Sequence, residues 1–256
     1  MNIGIIPARF ASSRLMGKPL ASIGGRPMIQ HTYESVLKSK LLHEVIIAVD
    51  DEKVYQVAKS FGAKVIMTPK DIATGSDRIA YAAKKLSDAD IIVNIQGDEP
   101  FIKGRMIDEA IEPLIFDKSV NVSTLAKRIT NPDDLKTPSV VKVVFDYNNF
   151  ALYFSRSPIP YVRDAHSNQD RIEIAEIFKH VGLYVYRKEA LLEFTSMQPT
   201  DLEQYEKLEQ LRMLENGMKL KIVVTELDSL SVDTPEDLEK ARAYYRKLQR
   251  AEKVKG

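Results

Sequence analysis

The sequence predicts an α/β fold, with a mainly parallel central sheet in the first part of the chain and a mixed α/β arrangement in the second. Three observations carry this. Short β-branched runs alternate with amphipathic segments through residue 95. Two of those runs, 45–49 and 91–95, are apolar without alternation, as in strands covered on both faces. Beyond residue 104 a single helical segment is followed by several strand-like runs in succession, which ends the βαβ rhythm.

The elements follow in order. Residues 3–6 form the first strand. In 27–38, Pro27 suits the first helical position and Met28, Ile29, Thr32, Val36 and Leu37 fall on one face at helical spacing. Strand 45–49, helix 51–61, strand 64–67, helix 77–86 and strand 91–95 complete the first part. The second part opens with a helix over 105–116 and strands near 121–127, 140–145, 151–155 and 181–186. A helix over 202–216, stopped by Gly217, leads to strand 220–225, and a last helix runs from Pro235 towards Gln249. Without a repeat, a low-complexity tract or a Gly/Ser linker, 1–256 reads as one domain whose halves are 1–104 and 105–256. Residues 157–172, with two prolines and many polar side chains, are the candidate mobile loop or lid.

Composition excludes several functions. The 37 Lys and Arg against 36 Asp and Glu leave a charge of +1, too balanced for general attraction to a phosphate backbone or an anionic leaflet, so neither nucleic acid nor membrane is the expected partner. With no cysteine there is no disulfide, thiolate metal site or cysteine nucleophile. The four histidines, His31, His43, His166 and His180, lack metal-ligand spacing. No basic segment precedes an apolar run at the start, and no run approaches the ~20 residues of a membrane span. A cytoplasmic globular protein is expected.

Several polar clusters fall where such a sheet would place a ligand. Pro7-Ala8-Arg9-Phe10-Ala11-Ser12-Ser13-Arg14-Leu15-Met16-Gly17-Lys18-Pro19 follows the first strand and brings Arg9, Arg14 and Lys18 to the strand's carboxyl end. Three cations there can surround a polyphosphate, and Gly17 lets backbone approach closely. A Walker A loop would require Gly at position 12 and Ser or Thr at 19, where the sequence has Ser12 and Pro19. A solvated basic loop accounts for the composition equally well. Ile95-Gln96-Gly97-Asp98-Glu99-Pro100 again follows an apolar strand. Asp98 suits Mg2+, which takes one or two protein carboxylates and completes its shell with water and phosphate oxygens, and Gln96 can read a base or sugar edge. An Asp-containing turn is the plainer alternative.

Val232-Asp233-Thr234-Pro235-Glu236-Asp237 opens the last helix, with Thr234 as N-cap, Pro235 at N1 and Asp237 at N3. That leaves Asp233 free for a second Mg2+ contact, or as a polar turn residue. Thr74-Gly75-Ser76-Asp77-Arg78 precedes a helix, so Ser76 or Asp77 can cap it while Arg78 joins a phosphate cage or stays an ordinary surface arginine. Asp50 and Asp51 read as plain N-capping. On strand 181–186 and its entry, His180, Gly182, Tyr184 and Tyr186 alternate with Val181, Leu183 and Val185. Such a polar face suits a hydroxyl-rich ligand, though a solvent-facing strand explains it as well. Glu209 and Gln210 likewise fit a solvated helix face.

Taken in order, Ile5-Ile6-Pro7-Ala8-Arg9 through Lys18-Pro19, Thr74-Gly75-Ser76-Asp77-Arg78, Gln96-Gly97-Asp98-Glu99-Pro100, Ala151-Leu152-Tyr153-Phe154-Ser155-Arg156, His180-Val181-Gly182-Leu183-Tyr184, Leu208-Glu209-Gln210-Leu211-Arg212 and Val232 through Leu238 resemble the cytidylyltransferases that activate 3-deoxy-manno-octulosonate (Kdo). The likeness spans nearly the whole chain. One departure is Met16, where that family usually carries proline before Gly-Lys-Pro. The resemblance implies a Rossmann-like nucleotide-diphospho-sugar transferase fold and transfer of CMP from CTP to the C2 hydroxyl of Kdo, with a product that feeds lipopolysaccharide assembly. It implies that Pro7, Ala8, Thr74, Gly75, Ser76 and Gln96 recognise cytidine, and that Arg9, Arg14, Lys18 and Arg78 contact phosphates. By the same likeness Asp98 and Asp233 hold Mg2+, while Arg156, Arg163, His180, Tyr184, Glu209 and Gln210 meet Kdo. The first half then serves mainly the nucleotide, and the second the sugar and a homodimer contact, with the metal-ligand motif at its end.

Attack at an α-phosphorus builds charge on equatorial oxygens and on the leaving pyrophosphate, so positioning and cations should dominate catalysis, led by Lys18, Arg9, Asp98 and Asp233. No obvious protein general base stands out. A cytidylyltransferase for another acidic sugar, such as an acylneuraminate, shares these requirements and differs only in the second half. A non-catalytic nucleotide-binding module is the alternative from another class, and joint retention of Lys18, Asp98 and Asp233 argues against it.

Overall fold

Strand and helix alternate from the first residues of the computed structural model, which describes residues 1–11 and 15–255. In the unit formed by Met1–Ile107 and Asp228–Gly256, β1 (Asn2–Ala8) is followed by the short pair β2 (Ser22–Ile23) and β3 (Arg26–Pro27), then α1 (Met28–Val36), β4 (Glu44–Val49), α2 (Glu52–Ser60), β5 (Lys64–Met67), α3 (Gly75–Ala83) and β6 (Ile91–Asn94). Helix α4 (Gly104–Phe116) carries the chain into the unit Asp108–Leu227. That unit holds β7 (Val122–Arg128), α5 (Asp133–Lys136), β8 (Lys142–Phe145), β9 (Ala151–Ser155), α6 (Asn168–Ile174), β10 (Phe178–Arg187), α7 (Lys188–Ser196), α8 (Asp201–Glu206), α9 (Gln210–Glu215) and β11 (Leu220–Val224). Helix α10 (Pro235–Lys255) returns to the first unit, so residues 228–255 are built with the first part of the chain.

The four large strands of the first unit lie in the order β6-β1-β4-β5, all parallel. Helical crossovers cover both faces, which is why β1 and β4 are apolar without alternation and Ile5, Ile6, Ile47 and Val49 are fully buried. At the edge, β5 keeps Lys64 and Met67 exposed. Helix α10 is held by a cluster in which Val232, Leu238 and Ala241 pack with Ile23, Met28 and Phe101. Gly24 (φ 57) turns the chain between β2 and β3 directly beneath the Tyr245 ring, where a Cβ would overlap it.

In the second unit β7 lies between β11, parallel to it, and β10, antiparallel to it; β8 pairs antiparallel with both β10 and β9. This is the mixed arrangement expected beyond residue 104. A small core of Ile129, Leu135, Ile172 and Ile177 seats the segment expected to be a loop. Within that segment Ser167 and Asp170 form a capping box that starts α6.

Three local expectations give way to tertiary demands. The helix expected over 202–216 is two helices, because Lys207 takes φ 53 and turns Arg212 back onto Glu203. There the buried guanidinium makes a fork of two bonds to the carboxylate, at 2.7 and 2.5 Å. Pro27 is the N-cap of α1 rather than its first helical residue. Strand β10 shifts register between Val181 and Tyr184, so its faces do not alternate as a plain strand's would, and Tyr186 is buried with Leu183 and Val185. Among the described residues no helix is long and apolar enough to cross a membrane.

Leu238 is 7% exposed and joins α10 to the cluster around Ile23 and Met28. Leu238→Ala is expected to cost about 2–5 kcal/mol in urea unfolding. A change below about 1 kcal/mol would mean that α10 is not held by this contact.

Candidate active site

β1 and β6 are parallel neighbours, with Ile5 opposite Asn94, so the segments after Ala8 and after Asn94 leave the sheet at the same carboxyl edge. There the structure brings Pro7, Ala8, Arg9, Lys18, Gly75, Gln96 and Asp98 around one cavity of about 500 Å³. Ala11, Pro19, Met28 and Gly97 complete its wall, and none of these four stood out in the sequence as a site residue. Met28 reads from its spacing as helix core. Gly97 sits inside a motif whose polar neighbours draw the attention, yet a Cβ on it would lie 2.7 Å from the Pro7 carbonyl oxygen. Only glycine lets these two segments lie that close.

At the side of this cavity the Lys18 ammonium lies 2.5 Å from Asp98 Oδ2 and 2.8 Å from Asp233 Oδ1. Each partner is placed by backbone. Gly17, at φ 67, donates its N–H to the Phe10 carbonyl and opens a 3-10 turn over Lys18–Leu20. The turn carrying Asp98 is held by Thr32, whose hydroxyl donates to the Gly97 carbonyl at 3.1 Å, and by Ser35, which donates to the Pro100 carbonyl at 3.1 Å. Val232 N–H donates to the Asp98 carbonyl at 2.9 Å and so delivers Asp233. Beyond it, Thr234 and Asp237 cap α10 reciprocally, as the sequence predicts.

A cation thus already sits between the two carboxylates. Their hard oxygen donors, in so small a number, match Mg2+, which fills its remaining positions with water and phosphate. No cluster of three or more metal-ligating side chains occurs among the described residues. Glu99, next to Asp98, is buried; loss of water and then the Asp98 charge push its carboxyl up to about 7.

The remaining nucleotide-side candidates divide. Arg9 is exposed on the loop, and its Nη1 donates to the Ala73 carbonyl at 2.9 Å. Thr74 is the N-cap of α3 and accepts from Asp77 N–H, taking the role expected of Ser76 or Asp77. Ser76 is buried in the first turn of that helix, and neither residue lines the cavity. Arg78 overturns its expectation. It is fully buried, with Nη2 3.1 Å from Asp50 Oδ2 and Nη1 donating to Thr68 Oγ1 and the Pro69 carbonyl, so it presents no charge to a ligand. Asp50 is accordingly no helix cap; Asp51 alone caps α2. Arg14 lies outside the described residues.

The sugar-side candidates all belong to the second unit. His180, Tyr184, Tyr186 and Phe194 form a run of rings with centroids 5.3, 5.9 and 6.2 Å apart, and Phe154 meets His180 edge-on at 5.0 Å. Of these, Tyr186 is core. Glu209 precedes α9 and Gln210 opens it; Glu209 is partly exposed and its charge raises both tyrosines further above their ordinary range, after burial itself. Arg156 proves to be a clamp, with guanidinium nitrogens donating to the carbonyls of Glu206, Pro138 and Lys207. Its own carbonyl accepts from the fully buried Lys142, which also holds the Thr137 and Val140 carbonyls. Lys142 escaped the sequence reading because a lysine on a short strand carries no signal of burial. Arg163 is exposed between β9 and α6.

His180 Nε2 lies 2.8 Å from Thr124 Oγ1, whose hydroxyl donates to the Leu183 carbonyl at 2.8 Å. The arrangement that satisfies both puts the proton on Nε2 of a neutral ring. Burial pushes the imidazole down to about 3. Between pH 3 and 6.5 the unfolded chain therefore binds the extra proton, so this residue's contribution to stability is full above 6.5 and falls as the pH drops. An NMR titration is expected to show no His180 protonation between pH 5 and 8; a midpoint near 6.5 would contradict the neutral ring.

The chain matches the cytidylyltransferase family model over residues 3–220. Curated relatives include the 3-deoxy-manno-octulosonate cytidylyltransferase of Geotalea daltonii, 53% identical over 240 residues that cover 92% of this chain and 94% of the relative. The protein of the same name from Geobacter sulfurreducens is 51% identical, over 94% of this chain and 98% of its own. Among solved structures, CMP:2-keto-3-deoxy-manno-octonic acid synthetase complexed with CTP gives a TM-score of 0.89 at 42% identity, covering 96% of this chain and 98% of that one. A 4-diphosphocytidyl-2C-methyl-D-erythritol synthase from Anaerococcus prevotii, 16% identical with a TM-score of 0.61, shares the fold. Likeness of this extent, running through the segments that build the cavity, means that the chain belongs to the cytidylyltransferases, and among them to the 3-deoxy-manno-octulosonate cytidylyltransferase family.

Proposed function

We propose that this protein transfers CMP from CTP to the C2 hydroxyl of Kdo and releases pyrophosphate. The observation that carries the reading is Lys18 seated between Asp98 and Asp233 beside a cavity at the carboxyl edge of a parallel sheet. A relative 42% identical was solved with CTP, which supports the nucleotide. Pro7, Ala8, Gly75 and Gln96 frame the cytidine, while Thr74 and Ser76 set the entry of α3 beside it. Arg9, Arg14 and Lys18 take the phosphates. Arg78 is not among them, because its charge is spent on Asp50.

Asp98 and Asp233 hold Mg2+. When bound there, the ion neutralises triphosphate charge and lowers the pKa of the attacking hydroxyl. Lys18 exchanges its carboxylate partners for oxygens of the triphosphate and steadies the leaving pyrophosphate. His180, Tyr184, Glu209 and Gln210 meet the sugar, with the neutral His180 ring offering Nδ1 as an acceptor, and Arg163 is the remaining cation for the Kdo carboxylate. Arg156 acts one step away, by fixing the Glu206 and Lys207 carbonyls just before Glu209. Family likeness also supports a homodimer, a cytoplasmic location and a product destined for lipopolysaccharide assembly.

Pyrophosphate release from CTP and Mg2+ tests the reading, with Kdo or N-acetylneuraminate as acceptor, UTP in place of CTP, and EDTA added. Release is expected only with Kdo, CTP and metal together. Turnover with N-acetylneuraminate alone would move the reading to another acidic sugar, and CTP binding without turnover would make this a nucleotide-binding module. Lys18→Ala is expected to lose about 2–4 kcal/mol of transition-state stabilisation in kcat/KM for CTP. It also leaves Asp98 and Asp233 without their ammonium, so Mg2+ should raise its Tm more than that of the parent. Equal Mg2+ shifts in the two proteins would contradict the shared cation site.

A further inference from the structure

We infer that Asp50 is the positioning residue of the phosphate loop, its charge balanced by the buried Arg78; the inference rests on the reading that this loop receives the triphosphate. Asp50 follows β4 at the carboxyl edge and is 7% exposed. Its two oxygens have separate tasks. Oδ1 accepts the Phe10 backbone N–H at 3.0 Å, and Oδ2 lies 3.1 Å from Arg78 Nη2. Phe10 is the point at which the loop closes, since its carbonyl accepts the Gly17 N–H at 3.1 Å. Lys18 comes next in the chain. A relay of one ion pair and two hydrogen bonds therefore runs from buried Arg78 through Asp50 and Phe10 to Gly17, and fixes where the Lys18 side chain begins.

Arg78 is the deeper end of this relay. It is fully buried, its Nη1 donates to Thr68 and to the Pro69 carbonyl, and Thr68 is itself bonded to the Val49 carbonyl at the end of β4. Burying a guanidinium is costly unless a carboxylate faces it, and here Asp50 is that carboxylate. The bond that Phe10 N–H makes to the Asp50 carboxylate is charge-assisted, and so stronger than one between neutral groups. Arg9 adds a weaker constraint, with Nε 4.0 Å from Asp50 Oδ2. Neither Asp50 nor Arg78 lines the cavity, so the pair acts through the loop and not on the nucleotide.

Two double variants separate this role from a purely structural one. Asp50→Leu/Arg78→Met removes both buried charges together, which leaves no charge stranded, but it also removes the acceptor for Phe10. Asp50→Asn/Arg78→Met removes the same charges and keeps an acceptor. In the first variant, amide exchange at Phe10 is expected to quicken about tenfold or more while Ile6 in β1 is unchanged, and KM for CTP to rise about tenfold with KM for Kdo within about twofold. The second variant should recover most of both changes. Unaltered Phe10 exchange and an unaltered KM for CTP in the Leu/Met variant would overturn the inference, as would failure of the Asn/Met variant to recover either. If the Leu/Met variant does not fold, Asp50→Ala/Arg78→Met, which also removes the acceptor and both charges, decides: faster Phe10 exchange supports the relay and unchanged exchange overturns it. Exchange at Phe10 needs no substrate, so a parent protein that makes no CMP-Kdo would refute the proposed function while the relay is still judged on its own.

Discussion

One ammonium group organises the ligand edge of this protein. Lys18 comes from the loop after β1, Asp98 from the turn after β6 and Asp233 from the segment that returns to the first unit, and the three meet at 2.5 and 2.8 Å. Two carboxylates that close would repel each other strongly in a partly buried site if no cation stood between them. The hydrogen bonds around the trio, from Gly17 to Phe10, Thr32 to Gly97 and Val232 to Asp98, are all backbone-directed and leave the charged side chains little choice of position. What the fold supplies is a preorganised place for positive charge, which is what displacement at a phosphorus requires.

Charges elsewhere follow a related rule, in which burial and not number decides the role. Arg78 with Asp50, Arg212 with Glu203, and Lys142 with three carbonyls are each enclosed and each fix a loop or a chain reversal. Such groups specify geometry more than they add stability, because desolvation offsets much of their attraction. By contrast the pair of Lys64 and Glu44 leaves its lysine 70% exposed and contributes little. In the second unit the same economy of water places a neutral imidazole and a tyrosine side by side, an arrangement that offers hydrogen bonds without presenting a charge.

Much of the first unit was legible because its elements are separated by clear punctuation and its motifs are contiguous. The strand at 64–67 matches the sequence reading, β4 starts one residue earlier than expected, and α2 is shorter by one residue at each end. Pro7, Ala8, Arg9, Lys18, Gly75, Gln96 and Asp98, singled out from contiguous motifs, line one cavity. The burial of Arg78 was not legible, since nothing in Thr74-Gly75-Ser76-Asp77-Arg78 states that Asp50 waits opposite. Lys207 likewise gives no sign of its left-handed turn, which answers to an ion pair formed across the break. The bulge in β10 hides behind clean alternation. Helices α6 and α7 did leave signals, a capping box at Ser167 and Asp170 and the helical spacing of Ala190, Leu191 and Phe194, but prolines and short length obscured them. Proximity of Asp233 to Asp98 had no local signature at all and was reachable only through family likeness.

The excursion of the chain between Ile107 and Asp228 orders events during synthesis. Asp98 is translated just after β6, the last of the parallel strands of the first unit, and after Lys18. Asp233 follows only after every strand of both units has been translated, and it is then captured through Val232 and α10. The complete pair of carboxylates is therefore a property of the finished polypeptide: a chain interrupted anywhere in the second unit could retain strands β1, β4, β5 and β6 yet carry only one of the two carboxylates that meet Lys18.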